Sequence, residues 1–385
     1  MTLTADAAIA RAVAATGLSD FGDATLPERV AIVLDQVRDS RMDADGLAAA
    51  LDTVHGLLAS RLAFYEDARR HQIGHEHVVR PVFATGEPRS GTTLLHALLA
   101  EDPAARALRF WQLMHPSPPP GLAAAAENDA RRARADEDWG DILARIPPWI
   151  ISHPYNDLLG DGLPECERTW AFDFRAMTPS AWWRVPMTMR TSLPQDPTAQ
   201  YAIHRMFLQH LQIGRPEKRW VLKGFHGRRL PALFATYPDA CMIWVHRDPV
   251  QIVASQITAF GQINACLSPD FDLAEYADAQ VASAREVFRG HLVEPMIDDP
   301  RIHHVRYADF VADPVSTIGG FYDRFDIPFT AEVEAAMASY LANNRSDRHG
   351  KFSYSTDVLP VDVASLHEEF TPYRERFGVE IERRG

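Results

Sequence analysis

The chain of 385 residues has few cysteines and no long apolar run. Its three cysteines, Cys166, Cys241 and Cys266, are an odd number without close spacing, which argues against a disulfide or metal framework. No segment approaches about 18 consecutive apolar residues, so no membrane span is expected. The N-terminus has no basic start followed by an apolar stretch, so no signal peptide is expected either. We therefore expect a cytoplasmic protein.

Positive charge is also scarce, since 39 lysines and arginines face 52 acidic residues for a formal net charge of −13. This balance argues against a nucleic-acid partner, although a small anionic ligand in a local basic pocket is compatible with it. The hydrophobic share of 46% is enough for a large core, and the charged residues are not concentrated in any stretch poor in apolar groups. We expect a folded chain rather than a disordered one.

Hydrophobic patterning predicts an α/β fold. Residues 1–76 have apolar positions at helical spacing and predict a helical N-terminal extension. Short apolar runs then alternate with helical segments, and strands are predicted at 78–86, 219–225, 240–246 and 301–310. Such alternation predicts a three-layer sandwich with a central parallel sheet. Residues 77–385 would form this domain, with a mostly helical insertion or lid at 115–215, and the whole chain is expected to be one structural unit.

The stretch GEPRSGTT at 86–93 nearly matches the phosphate-loop motif G-x-x-x-x-G-K-[ST]. Gly86 and Gly91 have the right spacing, but Thr92 occupies the lysine position. The stretch lies between a predicted strand and a predicted helix, which is typical of a P-loop-type fold, and its backbone N–H groups can bind a phosphate at the helix N-terminus. Without the lysine, and with Arg89, the loop favours a terminal phosphate or phosphosulfate over a magnesium-bound triphosphate.

Basic and hydroxyl side chains follow the predicted strands, at the edge where parallel sheets bind their ligands. These residues are Arg89, Ser90, Thr92, Lys223, His226 and Arg247. Arg247 begins the stretch after the third predicted strand, and Ser255 follows eight residues later, about two helical turns into the next element. A guanidinium fork and a hydroxyl brought together there form a second anion site. In an acidic chain, this concentration indicates a site for a polyanion.

The segments PRSGTTLL, LKGFH and YPDACMIWVHRDPVQIVAS together resemble the 3′-phosphoadenosine-5′-phosphosulfate (PAPS)-dependent sulfotransferases, in particular a bacterial branch. GLSDFG, RYADFVADP and YRERFG extend the resemblance over most of the chain. The resemblance implies transfer of a sulfuryl group from PAPS to a hydroxyl of a small, lipophilic or aromatic acceptor. The product would be adenosine 3′,5′-bisphosphate, and no metal would be needed.

The resemblance also implies roles for individual residues. Arg89 and Lys223 would stabilise charge on the departing group. His226 would take the acceptor's proton, a task that an imidazole with an ordinary pKa of about 6.5 suits. Apart from the resemblance, Glu165 and Glu167 in PECER are alternative bases, and the other interpretation is that at least one is a helix N-terminal carboxylate favoured by the helix dipole. The residues implied for cofactor binding are Arg89, Ser90, Gly91, Thr92 and Thr93 for the phosphosulfate, and Arg247 and Ser255 for the 3′-phosphate.

Two features depart from the family's pattern. Glu87 places a carboxylate beside an anion site, which is unfavourable unless it faces away or pairs with a cation. The family's C-terminal basic motif has only a faint counterpart in RSDRHGKFSY at 345–354. Arg348 or Lys351 would reach the 3′-phosphate from this segment, and a charged surface loop is the alternative.

Aromatic residues between the two cofactor segments indicate an acceptor pocket. The candidates are Trp149, Trp170, Trp182 and Trp183. Large aromatics are core material by default, so this interpretation competes with a structural one. No metal site is predicted, because the adjacent His303 and His304 would point to opposite faces of a strand.

Two other functions stay open at this point. A degenerate P-loop kinase or NTPase would need a magnesium ligand set and a lysine at position 92. A non-catalytic nucleotide-binding module would differ from the enzyme only in lacking the base. The sequence names neither the acceptor nor the oligomeric state, and a homodimer is among the possibilities.

Overall fold

A computed structural model of the chain describes residues 4–39, 42–175, 196–268, 270–345 and 347–382. The described residues divide into two compact units. We call the first the helical unit; it comprises those within 1–78, 108–217 and 262–271. The second, the sheet unit, comprises those within 79–107, 218–261 and 272–385.

The elements follow one another along the chain in this order. The first part contains α1 (Ala5–Thr16), α2 (Leu26–Asp39), α3 (Ala44–Arg70), β1 (Val82–Thr85), α4 (Thr92–Ala100), β2 (Ala105–Ala107), α5 (Phe110–Met114), α6 (Ala125–Arg145), α7 (Trp149–Ser152) and α8 (Glu167–Phe172). The middle contains α9 (Pro197–Gln212), β3 (Arg219–Gly224), α10 (Leu230–Thr236), β4 (Cys241–His246), α11 (Pro249–Leu267) and α12 (Leu273–Leu292). The last part contains β5 (Ile302–Arg306), α13 (Tyr307–Ala312), α14 (Pro314–Arg324), α15 (Ala331–Asn343), α16 (Val363–Glu369) and α17 (Thr371–Phe377). Short 3₁₀ helices span Ile73–His75, Pro154–Asp161 and Thr356–Val358.

The sheet has five strands, all parallel, in the order β2-β3-β1-β4-β5. Strand β1 is central: Val82 pairs with Val221 on one side and with Cys241 on the other. Every residue of β1 and β4 is buried. Such continuous apolar strands are typical of a parallel sheet covered on both faces. The predicted α/β class with a central parallel sheet is confirmed.

The four predicted strands correspond to β1, β3, β4 and β5. The prediction at 301–310 was wrong beyond Arg306, because α13 begins at Tyr307. Asp309 lies in the first turn of α13, where a carboxylate is favoured by the helix dipole, and it pairs with Arg306. Strand β2 was not predicted, since three residues that include Arg106 carry too little apolar pattern.

A buried ion cluster in the helical unit links the N-terminal extension to the insertion. Asp173, just after α8, accepts from Arg61 of α3 at 2.5 Å (Nη1 to Oδ1) and from Arg29 of α2 at 3.3 Å (Nη2 to Oδ1). Arg29 also donates from Nε to the Asp173 carbonyl at 3.0 Å. Residues from 1–76 and from 115–215 therefore share one compact unit. That the whole chain forms one structural unit stays a prediction.

Among the described helices, α3 is long and apolar enough by length and composition to cross a membrane. In the structure this helix is part of the helical unit. Leu58, Leu62 and Phe64 are fully buried, and the Phe64 ring stacks on Phe207 of α9 at 4.6 Å. Arg61 lies on the same helix and is fully buried in its pair with Asp173. These contacts pack α3 into the helical unit.

Candidate functional site

The loop between β1 and α4 is a tight turn closed by Ser90. The Ser90 backbone N–H and its hydroxyl both donate to the Glu87 carbonyl, at 3.1 and 2.6 Å. Pro88 and Arg89 lie at the centre of the turn, and Arg89 has a φ of +74°. Proline followed by a residue of positive φ is typical of a type II turn, where glycine is the usual third residue. Arg89 therefore holds a backbone conformation that costs an arginine about 1 kcal/mol.

The loop opens directly into the N-terminus of α4. Gly91 is the N-cap, with a φ of +86°, and Thr92 begins the helix. The first N–H groups of a helix have no partner within it, so together with the helix dipole they can bind an anion. At the other end of the loop, a Cβ on Gly86 would lie 2.7 Å from the Val245 carbonyl of β4. Only glycine fits this close approach.

Lys223 adds a cation beside this helix start. It lies in β3 opposite Ala84 of β1, is 4% exposed, and donates from Nζ to the Thr93 hydroxyl at 3.2 Å. Thr92, which precedes Thr93 in the chain, is buried as well. A lysine and threonines therefore meet at the N-terminus of α4, as expected from their positions after neighbouring strands. Lys223 and these threonines form one cationic group of the sheet unit.

The second group brings together Arg89, Ser255 and Arg247. Arg89 donates from Nε to the Ser255 hydroxyl at 3.1 Å, and Arg247 donates from Nη1 to the Arg89 carbonyl at 2.6 Å. The Arg89 guanidinium lies over the Phe352 ring at 4.8 Å, and that of Arg247 over Tyr307 at 4.2 Å. The pairing of the loop with the Arg247–Ser255 segment is thus present. The sequence predicts Arg89 beside the departing group and Ser255 at the 3′-phosphate. In the structure Arg89 contacts Ser255.

Arg247 carries further bonds that the sequence did not indicate. Glu382 accepts from its Nε and Nη2, both at 2.7 Å, and the Tyr354 hydroxyl accepts from Nη2 at 2.9 Å. Burial acts to lower the pKa of Arg247, but the bonds to Glu382 outweigh it and the pKa lies above its usual range. Arg247 is 4% exposed, so this charge is neutralised inside the protein.

Glu87 is turned toward a histidine. Its carboxylate is 2.8 Å from Nε2 of His291, whose side chain is 1% exposed. The His291 ring packs edge-on against Trp244 of β4, with ring centroids 5.1 Å apart. The carboxylate that departs from the family's pattern therefore has a partner in α12, and its interaction helps to fix the start of the loop.

A chain of hydrogen bonds supports the residue before Arg247. His304 bonds the Ile297 carbonyl through Nε2 at 2.8 Å, and its Nδ1 bonds His246 Nε2 at 2.8 Å. A carbonyl only accepts, so His304 donates there, accepts from His246, and leaves His246 Nδ1 to accept from the Tyr373 hydroxyl at 2.7 Å. Burial, with the neighbouring histidines, holds the pKa of His246 well below its usual value. This neutral relay joins β4, β5 and α17.

His226 lies just after β3 and is fully buried. Its backbone N–H donates to the Thr85 hydroxyl at 3.0 Å, and that hydroxyl donates to the Gly224 carbonyl at 2.8 Å. The imidazole packs edge-on against Phe83 of β1, with centroids 5.0 Å apart. The β1 and β3 strand ends therefore fix the position of His226, and its role as base stays a prediction.

The alternative bases, Glu165 and Glu167, lie in the helical unit next to Arg168. Glu167 is 4% exposed and Arg168 is 1% exposed. Burial lowers the pKa of Arg168 to about 10, while the charges of Glu165 and Glu167 act in the opposite direction. The Arg168 guanidinium also lies over the Phe110 ring at 4.8 Å. Both carboxylates thus have a cation in their neighbourhood.

The segment around Arg348 contributes aromatic groups to the second cationic group. Phe352 and Tyr354 contact Arg89 and Arg247. Arg348 donates to the Arg345 carbonyl at 3.1 Å, and Lys351 is exposed. The charges of RSDRHGKFSY indicate an anion-binding segment, but nothing in the sequence pattern indicates that its phenylalanine and tyrosine contact the two arginines. Cofactor binding by Arg348 and Lys351 stays a prediction.

Two of the four tryptophans proposed to bind the acceptor lie within the described residues. Trp149 is 5% exposed and packs on Trp139, with centroids 5.2 Å apart. Trp170 is 1% exposed and packs edge-on against Tyr201. Both are core residues of the helical unit, and a role in a pocket stays a prediction. Trp182 and Trp183 lie outside the described residues.

Comparison with known proteins gives a consistent result. A model of the sulfotransferase family matches residues 81–331, well over half of the chain. The crystal structure of sulfotransferase STF9 from Mycobacterium avium is similar with a TM-score of 0.83 and 29% identity, over 100% of this chain and 99% of that one. Sulfotransferase STF1 from Mycobacterium tuberculosis H37Rv gives 0.74 and 26%, over 96% and 98%.

A curated relative from Mycobacterium tuberculosis, omega-hydroxy-beta-dihydromenaquinone-9 sulfotransferase Stf3, is 24% identical over 301 residues, which are 75% of this chain and 72% of that protein. Within the described ranges, no group of three or more metal-ligating side chains occurs. The family match includes the glycine loop, Lys223, His226, Arg247 and Ser255. The chain belongs to the sulfotransferase family.

Proposed function

We propose that this sulfotransferase moves the sulfuryl group of PAPS to a hydroxyl of a small, lipophilic acceptor. The observation that carries the proposal is the pair of cationic groups in the sheet unit. One is Lys223 with Thr93 at the start of α4, and the other is Arg89 with Arg247 and Ser255. A donor with a phosphosulfate at one end and a 3′-phosphate at the other matches two such groups.

Each cationic group takes one part of the donor. The N–H groups at the start of α4 and the hydroxyls of Thr92 and Thr93 bind the 5′-phosphosulfate. Lys223 stabilises the charge that grows on the bridging oxygen as the acceptor oxygen bonds to sulfur and the sulfur–oxygen bond to the phosphate breaks. Arg247 and Ser255, with Arg89, bind the 3′-phosphate. The proton of the acceptor hydroxyl goes to the base.

We assign the base to His226. It follows the same strand as Lys223, so it is fixed near the group that stabilises the leaving charge. Glu165 and Glu167 each act electrostatically on Arg168, which gives these carboxylates a structural role. The assignment of the base therefore rests on the position of His226 just after β3.

The acceptor class rests on the relatives and on the helical unit. Stf3 acts, by its name, on an omega-hydroxy dihydromenaquinone, a hydroxyl carried on a lipophilic molecule. The helical unit of this chain is rich in buried tryptophan, including Trp139, Trp149 and Trp170. Aromatic side chains suit a lipophilic or aromatic alcohol. An alcohol on an apolar skeleton is therefore the class to screen first.

We further propose a cytoplasmic location and leave a homodimer as a prediction. Within the described residues no disulfide joins Cys166, Cys241 or Cys266. Three thiols without a disulfide suit a reducing compartment.

Calorimetric titration with adenosine 3′,5′-bisphosphate tests the donor assignment. We expect micromolar binding, with Arg247→Ala weakening it by about 100-fold, because loss of charge-assisted hydrogen bonds costs about 1.5–3 kcal/mol. ATP with magnesium serves as the competing ligand. Tighter binding of ATP with magnesium than of the bisphosphate would contradict the proposal and favour a kinase-like function. Arg285→Ala, an arginine paired with Glu369 at the surface, is the matched control and should leave both affinities unchanged.

Arg89 offers a second test, because its backbone conformation and its charge can be separated. Arg89→Gly and Arg89→Ala both remove the guanidinium, and we expect each to weaken binding of the bisphosphate by about tenfold. Only the alanine variant keeps a Cβ at a φ of +74°. The glycine variant should therefore have the larger free energy of unfolding, by about 1 kcal/mol. Urea denaturation of the two variants measures the difference; an equal or lower stability of Arg89→Gly would show that the turn is not strained.

A further inference from the structure

The proposed 3′-phosphate site contains a carboxylate from the C-terminal segment. Glu382 binds Arg247 through both oxygens, at 2.7 Å to Nε and 2.7 Å to Nη2. This fork-to-fork arrangement is the geometry by which arginine binds a phosphate. The carboxylate therefore lies on the guanidinium edge that a bound 3′-phosphate would use.

A count of donors shows that the two anions compete. A guanidinium has five N–H donors. In Arg247, two bind Glu382, one binds the Tyr354 hydroxyl and one binds the Arg89 carbonyl. That leaves a single N–H of Nη1, which cannot form a bidentate bond. A phosphate can bind the Nε–Nη2 edge of Arg247 through two bonds only after Glu382 has moved away.

Backbone hydrogen bonds also hold Glu382 in position. Its backbone N–H donates to Oδ2 of Asp248 at 3.0 Å, and its carbonyl accepts from Nε2 of Gln251 at 3.4 Å. Asp248 is fully buried and also accepts from the Val250 N–H at the start of α11. The segment is thus docked on the first turn of the helix that carries Ser255. The contact is local and specific, rather than a distant charge effect.

We propose that Glu382 is an internal competitor of the 3′-phosphate: it neutralises Arg247 in the empty enzyme, leaves when the donor binds, and returns to help release adenosine 3′,5′-bisphosphate. The inference rests on the proposed function, since it assigns the 3′-phosphate to Arg247. A competitor tethered in the same chain lowers the apparent affinity by the fraction of molecules in which the site is open. Glu382 therefore determines how tightly the donor and the product bind.

Titration of Glu382→Gln with two nucleotides tests the competition. Adenosine 3′,5′-bisphosphate should bind about tenfold more tightly than to the wild type, because a neutral amide holds Arg247 less firmly. Adenosine 5′-phosphate lacks the 3′-phosphate, and its affinity should stay within about twofold of the wild type. Glu380→Gln removes the same charge from an exposed position in the same segment and should change neither affinity.

The outcomes separate the two levels of the proposal. If the wild type binds both nucleotides equally, the proposed 3′-phosphate site is wrong, and the competition falls with it. If the wild type prefers the bisphosphate but Glu382→Gln gains nothing or loses affinity, the site stands and the competition is overturned. In the losing case, Glu382 would hold Arg247 in place for the phosphate.

Hydrogen exchange gives a readout that does not depend on a substitution. The amide of Glu382 donates to Asp248. Ligand binding usually slows exchange, but release of the segment should speed it for a peptide covering residues 379–382 when adenosine 3′,5′-bisphosphate is added to the wild-type protein. Slower exchange in that peptide would overturn the proposal.

Discussion

Replacing His226 with glutamine is expected to lower kcat for sulfuryl transfer by about a thousandfold, within the range that a general base contributes. The proton of the acceptor hydroxyl would then have no acceptor as the new oxygen–sulfur bond forms. Donor binding should change by less than about threefold, because the cationic groups at Lys223 and Arg247 are retained. Steady-state assays with PAPS and an alcohol acceptor measure the first quantity, and calorimetry with adenosine 3′,5′-bisphosphate measures the second.

The controls for this prediction are Glu165→Gln and Glu167→Gln, which remove the alternative bases. Each should retain kcat within about tenfold of the wild type, a loss that reflects altered packing around Arg168 rather than chemistry. Because His226 is fully buried against Phe83, thermal denaturation must show that the variant is folded. A thousandfold loss in a glutamate variant, with activity retained in His226→Gln, would move the base to the helical unit. If the wild type and all three variants bind the donor fully but none of them turns over, the chain would be a non-catalytic nucleotide-binding module.

The local parts of the site could be predicted from the sequence. The loop at 86–93 and the start of α4 are adjacent in the chain, so spacing alone indicates a strand, a turn and a helix N-terminus. Lys223 and Arg247 were placed by the rule that parallel strands present their carboxyl ends at one edge. Ser255 followed from helical periodicity. Each of these inferences needs only the geometry of one element or of one sheet.

The contacts that pair the charged groups of the site with distant residues could not be predicted in this way. Glu382 lies 135 residues from Arg247, and His291 lies 204 residues from Glu87. No spacing rule relates such pairs, since their proximity depends on how whole helices pack. The end of β5 is a different case, because the pattern at 301–310 continues as a strand whereas the chain turns into a helix that begins at Tyr307. A signal for His291 did exist, because the carboxylate of Glu87 required a cationic or donor partner.

The acceptor pocket was the weakest prediction, because the sequence pattern around a tryptophan is the same whether the residue packs in a core or lines a pocket. Trp149 packs on Trp139 and Trp170 packs on Tyr201, so both have ordinary core contacts. Sequence patterns report hydrophobicity and period, and neither quantity distinguishes these roles.

Replacing Asp173 with alanine is expected to lower the free energy of unfolding by about 3–5 kcal/mol, because it leaves the buried Arg61 guanidinium without a carboxylate. Arg29 and Arg175 keep Asp23 as a partner. Arg61 is fully buried and Arg29 is 3% exposed, and both bind Asp173. Arg175 also donates to Asp173, at 2.5 Å. Since the cluster joins α2, α3 and the end of α8, the loss should appear as unfolding of the helical unit. Denaturant titration followed by tryptophan fluorescence measures it.

Two variants show whether the loss comes from buried charge. Glu66→Ala breaks an exposed pair with Arg69 on the same helix as Arg61 and should cost less than about 1 kcal/mol. Adding Arg61→Met to Asp173→Ala removes one stranded cation and should recover about 1–2 kcal/mol, because a buried ion pair can be replaced by packed apolar groups at little cost. If Asp173→Ala costs no more than Glu66→Ala, water reaches the cluster and the pairing is not what joins the extension to the insertion. If the methionine variant destabilises further, the packing of Arg61 against Tyr65, 4.7 Å from its guanidinium, matters more than its charge.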